Sequence, residues 1–226
     1  MPVVVFASPK GGAGKSTSAV LLATELAGKG APVALIDADP NRPLTRWASR
    51  PGKPPSLEVI SDVAEDTITD TIDRAAARFT FVVVDLEGTA SMMVGYAMSR
   101  ADLVVIPTQG SYLDAAEAVK AVKLLRVQER AFRRRIRAAI LFTRTSAAIR
   151  PRTLTNIEQQ FEASDVPVFR VHLHERDAFK ALFVFGGSLS ELDPAEVRNI
   201  PSAAVNARAF AQEVLSMLKA QASAAA

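Results

Sequence analysis

Apolar runs of strand length recur along the chain and alternate with segments of helix length. They lie at residues 3–7, 33–36, 81–84, 103–106, 138–142 and 166–171. Because these runs are continuous, without alternating polar positions, they indicate strands that are buried on both faces. The alternation with helices therefore predicts an α/β fold with a doubly wound, mostly parallel sheet flanked by helices.

Length and composition predict one soluble domain. The chain has 226 residues, of which 49% are apolar, and this is enough for one well-buried core. We expect a single domain over residues 1–226, with a frayed Ala- and Ser-rich tail at about residues 220–226. The chain has no cysteine, which excludes disulfides and cysteine-held clusters. Without a signal-peptide pattern or an apolar run of membrane-spanning length, we expect a cytoplasmic protein.

A glycine-rich loop follows the first apolar run and leads into a helical pattern. Its sequence, residues 9–17, is PKGGAGKST. Glycines let a backbone fold tightly around phosphates, and the following helix start adds partial positive charge. We therefore predict that Lys15 reaches the β- and γ-phosphates of a nucleotide and that Ser16 is a ligand of Mg²⁺. The other predicted nucleotide contacts of the loop are Lys10, Gly11, Gly12, Ala13, Gly14 and Thr17.

The loop departs from the general phosphate-loop pattern in two places. Pro9 stands where a glycine is usual, and a second lysine, Lys10, precedes the glycines. This variant resembles the deviant Walker A signature of the ParA/MinD family of P-loop NTPases. The resemblance implies that Lys10 crosses the interface of an ATP-bound homodimer and contacts the phosphates of the opposite subunit, as an arginine finger does in trans. An exposed loop lysine is the alternative interpretation.

Two of the apolar runs lead into carboxylates at the predicted carboxyl edge of the sheet, where open α/β sheets bind ligands. Residues 37–40, Asp-Ala-Asp-Pro, resemble the switch of the same family. The resemblance implies that Asp39 orients the attacking water and helps to hold Mg²⁺, with support from Asp37. Asp85 ends an apolar run in the manner of a Walker B carboxylate, which also holds Mg²⁺. A strand-ending turn at Asp37 and Asp39 and a helix cap at Asp85 are the alternatives.

The predicted catalytic residues are thus Lys10, Lys15 and Asp39. The segment after Asp85 differs from the family, because it reads Leu-Glu-Gly-Thr where partition ATPases more often have Asp-x-Pro-Pro. We expect Gly88 in this segment to offer its N–H to the γ-phosphate.

Two distinctive stretches narrow the resemblance to particular members of the ParA/MinD family. Residues 39–47 and 174–179 resemble the corresponding stretches of compact ParA partition proteins and of the VirC-type ATPase that promotes T-DNA transfer. The resemblance implies four further contacts near the nucleotide base: Thr143, Arg144, Arg176 and Asp177. An ordinary helix start is the alternative for the second stretch.

Basic residues are concentrated between residues 126 and 152, which contain nine arginines and one acidic residue. Such a cluster neutralises phosphates without reading base sequence, so it predicts salt-sensitive, non-specific DNA binding. A solvated helix end is the alternative. The predicted DNA contacts are Arg133, Arg134, Arg135, Arg137, Arg150 and Arg152.

Together these features predict a magnesium-dependent ATPase that dimerises on ATP, hydrolyses it slowly and binds DNA non-specifically in plasmid partition. We expect a ParB-like or relaxosome-type partner protein, and association with the bacterial nucleoid in the ATP state. A VirC-like accessory ATPase for conjugative or T-DNA transfer is the nearest alternative, and a small-molecule kinase is another. A MinD-like membrane role needs a basic amphipathic last helix, but residues 203–219 carry little positive charge. We therefore expect no stable membrane association.

Overall fold

Seven parallel strands form one sheet in the part of the chain that the computed structural model describes, residues 1–88, 91–149, 151–163 and 166–225. The strands are β1 (Val3–Phe6), β2 (Val33–Ala38), β3 (Leu57–Ile60), β4 (Phe81–Leu86), β5 (Leu103–Thr108), β6 (Ala138–Thr145) and β7 (Leu173–His174). Their order is β3-β2-β4-β1-β5-β6-β7, and each neighbouring pair is parallel. The predicted doubly wound α/β fold is confirmed.

Helices cover both faces of the sheet. They are α1 (Lys15–Ala27), α2 (Pro43–Ala48), α3 (Ile68–Arg78), α4 (Met92–Arg100), α5 (Tyr112–Phe132), α6 (Arg152–Ala163), α7 (Asp177–Phe185) and α8 (Ile200–Ala225), with a 3-10 turn at Leu189–Glu191. Val4 and Phe6 face the layer of α1, α2, α7 and α8, whereas Val3 and Val5 face the layer of α3 to α6. Successive residues of β1 are therefore buried on opposite faces, which explains the continuous apolar runs.

The centre of the first layer is aromatic. The Phe210 ring of α8 is fully buried, with its centroid 6.5 Å from that of Phe6 and 5.7 Å from that of Phe169. Trp47 of α2 is also buried, and its indole N–H donates to the carbonyl of Gly187 at 3.0 Å. These contacts fix α2 and α8 against the sheet.

The strand predicted over residues 166–171 is wrong. Only Val168 forms a bridge, to Ile140, and the regular strand β7 comes later. The backbone N–H groups of Arg170 and Val171 donate to the carboxylate of Glu213 on α8, at 2.8 and 2.9 Å, so they are not available to a neighbouring strand. A side chain from a distant helix thus replaces the strand ladder.

Two other elements differ from the sequence pattern. β3 is an additional strand of four residues at the edge of the sheet, and most of its side chains are at least partly exposed. It therefore lacks the continuous apolar signal of the central strands. Helix α8 runs to Ala225, beyond the pattern at residues 203–219. No helix in the described ranges has the length and apolarity needed to cross a membrane.

We expect Phe210→Ala to lower the free energy of unfolding by about 3–5 kcal/mol, because it removes a fully buried ring and leaves a cavity. Urea unfolding followed by the fluorescence of Trp47, the one tryptophan of the chain, measures this change. Val205→Ala on the same helix is the control, because Val205 is 65% exposed and should change stability by less than about 0.5 kcal/mol. Equal losses in the two variants would contradict the packing of α8.

Candidate functional site

The glycine-rich loop joins β1 to α1 at the carboxyl edge of the sheet. β1 lies between β4 and β5, at the point where the strand order reverses and where open α/β sheets bind ligands. Gly12 and Gly14 have φ angles of 75° and 95°, which other residues rarely adopt. The backbone N–H groups at the start of α1 face this loop, so the local structure is that of an anion site.

Two side chains from neighbouring strand ends hold the loop in place. The Thr143 hydroxyl donates to the carbonyl of Ala13 at 2.8 Å, and the Gln109 amide donates to the carbonyl of Gly12 at 3.1 Å. A Cβ atom on Gly14 would lie 3.3 Å from the Thr143 methyl group. Thr143, expected at the adenine, thus uses its hydroxyl to position the phosphate loop. Gln109 also positions the phosphate loop, and no sequence motif marks this residue.

Lys15 lies within the acidic part of the site. Its side chain is buried and its amine approaches the carbonyl of Lys10 at 3.5 Å. Burial lowers the pKa of Lys15 below its ordinary value, while the charges of Asp85, Asp39 and Glu87 act in the opposite direction. Lys15 is therefore a cation with little water around it, placed to neutralise a phosphate.

Gly88 packs directly on the phosphate loop. A Cβ atom at this position would lie 3.2 Å from the Gly11 nitrogen and 3.5 Å from the Lys15 amine. The segment after β4 therefore packs against the loop, and the contact of Gly88 with a terminal phosphate stays a prediction. Thr89 in the same segment lies outside the described residues.

Asp85 is a fully buried carboxylate at the end of β4. Neither of its oxygens has a hydrogen-bond partner within the described part of the chain. Burial raises the pKa of Asp85 to about 7, although the nearby Ser16 hydroxyl and the Lys15 charge favour the ionised form. An unpaired buried carboxylate is costly in a folded protein and needs a cation or a proton to offset it.

The two carboxylates at the end of β2, Asp37 in the strand and Asp39 directly after it, make different contacts. Asp37 pairs in register with Asp85 across the sheet, and one of its oxygens accepts from the N–H and hydroxyl of Thr45 at 2.7 and 2.6 Å. Asp39 is partly exposed and accepts from the N–H and side-chain amide of Asn41 at 2.8 and 3.0 Å. Asp37 therefore anchors the start of α2, while Asp39 stays accessible at the rim.

These residues fit a magnesium ion that binds together with nucleotide phosphates. Mg²⁺ is commonly held by one or two carboxylates, a hydroxyl, waters and phosphate oxygens. Asp85 supplies unpaired buried oxygens, Ser16 a hydroxyl and Asp39 an accessible carboxylate. No three His, Cys, Asp or Glu side chains gather into a metal-holding group in the described ranges, so the protein alone offers no complete cage.

A pocket beside Gly14 and Thr17 brings together three of the four residues expected near the base, Thr143, Arg144 and Arg176. Asp177 is the first residue of α7 and is not part of the lining. The remaining lining residues are Ser18, Leu173, His174, Glu175, Phe179 and Lys180. His174 is fixed by the Thr145 hydroxyl at 2.9 Å, and burial, followed by the charge of Arg176, lowers its pKa. The pocket thus combines a neutral imidazole, an apolar ring and arginines.

Lys10 forms an ion pair within its own chain. Its amine contacts the carboxylate of Asp114 in the first turn of α5, and the Lys10 side chain is 42% exposed. No sequence motif indicated Asp114.

The arginine cluster divides into side chains that bond to the backbone of other elements and side chains that are exposed on the surface. Arg134 donates to the carbonyls of Ser99 and Ala101, and Arg137 donates to the carbonyl of Met217 at 2.8 Å. Of these two predicted DNA contacts, Arg134 therefore holds the end of α4 and Arg137 contacts the backbone of α8. Exposed arginines on an open groove at the end of α5 are Arg126, Arg130, Arg133 and Arg135. Arg152 is exposed at the start of α6, and Arg150 lies outside the described residues.

The groove is far from the phosphate loop. α5 starts beside Lys10 and ends at the groove, and its 21 residues span about 30 Å at 1.5 Å per residue. The exposed arginines of the groove are therefore at the opposite edge of the sheet from the phosphate loop.

Comparisons with known proteins agree with this geometry. A family model described as VirC1 protein matches residues 1–220. Protein ParA of Rhizobium radiobacter is 45% identical over 218 residues, which cover 96% of this chain and 98% of that protein. An McdA–ATP complex from Cyanothece has a TM-score of 0.75 at 17% identity, over 95% of this chain and 96% of that chain. A ParA family ATPase from Chlorobium tepidum TLS has a TM-score of 0.72 at 19% identity, over 93% and 97% of the two chains.

The sheet order and the phosphate loop define a P-loop ATPase fold of the ParA/MinD type. The chain belongs to the VirC1 family, whose model covers nearly all of it. The resemblance noted in the loop and the two distinctive stretches is thereby confirmed.

The raised pKa of Asp85 predicts a pH-dependent stability. The folded protein holds a proton on Asp85 up to about pH 7, whereas the unfolded chain releases it near pH 4. The unfolding free energy therefore falls as pH rises between these values. Without metal or nucleotide, Asp85→Asn should be more stable than the parent protein, by roughly 2–3 kcal/mol more at pH 8 than at pH 5.

Urea unfolding in a metal chelator at both pH values measures this difference. Asp66→Asn is the matched control, because Asp66 is exposed. A stability gain of Asp85→Asn that is the same at pH 5 and pH 8 would contradict the raised pKa.

Proposed function

We propose that this protein is a magnesium-dependent ATPase that dimerises on ATP, hydrolyses ATP slowly and binds DNA non-specifically in plasmid partition. The observation that carries the proposal is the convergence of Lys15, Ser16, Asp39 and Asp85 on one phosphate loop that also bears Lys10. The 45% identity to a ParA protein supports the partition role. In this proposal the protein is cytoplasmic, and the ATP-bound dimer associates with the nucleoid.

The proposed chemistry uses each residue in a separate role. Lys15 neutralises the β- and γ-phosphates, and the loop N–H groups orient them. Mg²⁺ held by Ser16 and Asp85 supplies charge neutralisation to the phosphates when it is bound. Asp39, at the exposed rim, orients the attacking water. Lys10 from the second subunit adds positive charge where negative charge develops in the transition state.

The incomplete site explains why hydrolysis should be slow in one subunit alone. Without the second lysine, the developing charge on the transferred phosphoryl group lacks a cation on its open side. A ParB-like or relaxosome-type partner that tightens the dimer would then accelerate hydrolysis and release DNA.

We expect ATP with Mg²⁺, but not ADP, to convert the protein from monomer to dimer in size-exclusion light scattering. Lys10→Ala should abolish the dimer and lower the hydrolysis rate by roughly a hundredfold or more, and Asp39→Ala should trap the dimer with ATP. Lys29→Ala removes another exposed lysine and is the control. If the protein binds ATP as a monomer, and Lys10→Ala changes neither its size nor its hydrolysis rate, the proposed dimer is contradicted. The protein would then be an ordinary P-loop enzyme whose phosphoryl acceptor is unknown.

The exposed arginines at the end of α5 support the DNA-binding part of the proposal. Arg133 and Arg135 are exposed on one groove, and two subunits would double the number of phosphates contacted. No base-reading motif accompanies these arginines in the sequence, so we infer that binding is to the phosphate backbone.

We expect Arg133→Ala combined with Arg135→Ala to weaken DNA retention by the ATP dimer and to lower the salt slope by about two per subunit, one for each lost contact. Fluorescence anisotropy with random duplex DNA at several salt concentrations measures both quantities. Arg198→Ala, at another exposed site, is the control. If the double variant and the control bind alike, the groove is not the DNA surface.

The family match favours a second candidate, a VirC-like accessory ATPase for conjugative or T-DNA transfer. The two candidate functions differ in the DNA that the protein would bind. A protected footprint on one defined sequence, absent on random duplexes, favours the transfer role, and uniform protection favours partition.

A further inference from the structure

Glu87 is a charged residue beside the phosphate loop that the proposed function does not use. It follows β4 directly and is partly buried. Val84 and Leu86 are buried in the layer of α3 to α6, whereas Val83 faces the layer of α1. Because side chains alternate along an extended chain, Asp85 and Glu87 belong to the same face as Val83. Glu87 is therefore on the side of the sheet that carries α1 and the phosphate loop.

Two further observations agree with this placement. Burial lowers the pKa of Lys15, and the charge of Glu87 is among those that oppose this shift. The next residue, Gly88, lies against the loop, since a Cβ atom there would be 3.5 Å from the Lys15 amine. The other charges that act on Lys15 in the same direction are those of Asp85 and Asp39. One buried lysine amine thus has three carboxylates around it.

These carboxylates differ in what can offset their charge. In the proposed function, Asp39 and Asp85 help to hold Mg²⁺, whose charge offsets theirs. Glu87 is not one of the proposed ligands, and it adds negative charge beside the lysine that neutralises the phosphates. Partition ATPases more often have a proline at this position, within Asp-x-Pro-Pro, whereas this chain has Asp85-Leu86-Glu87-Gly88. The charge of Glu87 is therefore an addition to the family pattern.

The positive groups of the loop do not cancel this added charge. Lys15 supplies one positive charge against three carboxylates, and Lys10 is paired with Asp114. Glu87 is partly buried, and charges in a partly buried site are screened by salt less than charges on the surface. A phosphate group that enters the loop therefore meets repulsion from Glu87.

This repulsion depends on the charge of the nucleotide. A bound Mg²⁺ cancels about half of the negative charge of a triphosphate. The repulsion by a nearby carboxylate is then about twice as large for free ATP as for its magnesium complex. We propose that Glu87 is a specificity-determining residue that selects the magnesium complex of ATP over free ATP. This inference rests on the proposed function and names the form of the nucleotide that its site takes.

Glu87→Gln tests the inference, because it removes the charge and keeps the size of the side chain. A fluorescent ATP analogue is titrated with the protein, once with excess Mg²⁺ and once with a metal chelator. We expect the variant to bind the free analogue about tenfold more tightly than the parent protein does. The magnesium complex should gain only about threefold, because it carries about half of the net charge. The preference for the magnesium complex should thus fall about threefold.

Two variants serve as controls. Glu87→Asp retains the charge and should keep the preference close to that of the parent protein. Glu196→Gln removes the charge of an exposed glutamate in the segment before α8 and should change neither affinity. Binding of the magnesium complex by each variant shows that its nucleotide site is folded.

The outcomes separate this inference from the proposed function. If Glu87→Gln gains equally for the two forms of the nucleotide, or for neither, the selecting role of Glu87 is overturned while the proposed function stands. Weaker binding of the magnesium complex by this variant would assign Glu87 to the metal and would also overturn the role. If the parent protein binds neither form, the proposed function fails and the inference fails with it.

Discussion

The parallel register of β2 and β4 places two carboxylates, Asp37 and Asp85, side by side beneath the phosphate loop. All strands of a parallel sheet end at one edge, so β1 delivers the loop to the same place. Lys15 then lies among acidic groups, and Asp85 lies buried with no hydrogen-bond partner for its oxygens among the described residues. The rest of the site depends on this crowding of charge at one edge.

This arrangement is unfavourable for the protein alone and favourable for its ligand. Burying Asp85 costs stability, which is why its pKa rises to about 7. In the proposed function, a magnesium ion and a triphosphate would supply the charges that the carboxylates and Lys15 lack. Lys10 is paired with Asp114 of its own chain, and its side chain is 42% exposed. Charged groups that are unpaired, or paired through an exposed side chain, in the single chain are thus available to contact a bound ligand.

The sequence predicted the fold and the phosphate loop because both depend on local patterns. Apolar runs mark central strands such as β4, and glycines mark the two left-handed positions of the loop. Long-range contacts have no such signal. Glu213 takes the place of a strand ladder, the Thr143 hydroxyl holds the loop backbone, and Asp114 pairs with Lys10 across 104 positions. Those partners are set by packing, and the residue types alone did not reveal them.

The most direct test of the proposed dimer mixes two inactive proteins, Lys10→Ala and Asp39→Ala. In a mixed dimer, the site of the Lys10→Ala subunit keeps its own Asp39 and receives an intact Lys10 from the other subunit. If Lys10 acts across the interface, a one-to-one mixture made before ATP is added should hydrolyse ATP faster than either component, at up to about half of the parent rate, because each mixed dimer has one complete site. If the mixture is as inactive as its components, Lys10 does not act in the opposite subunit.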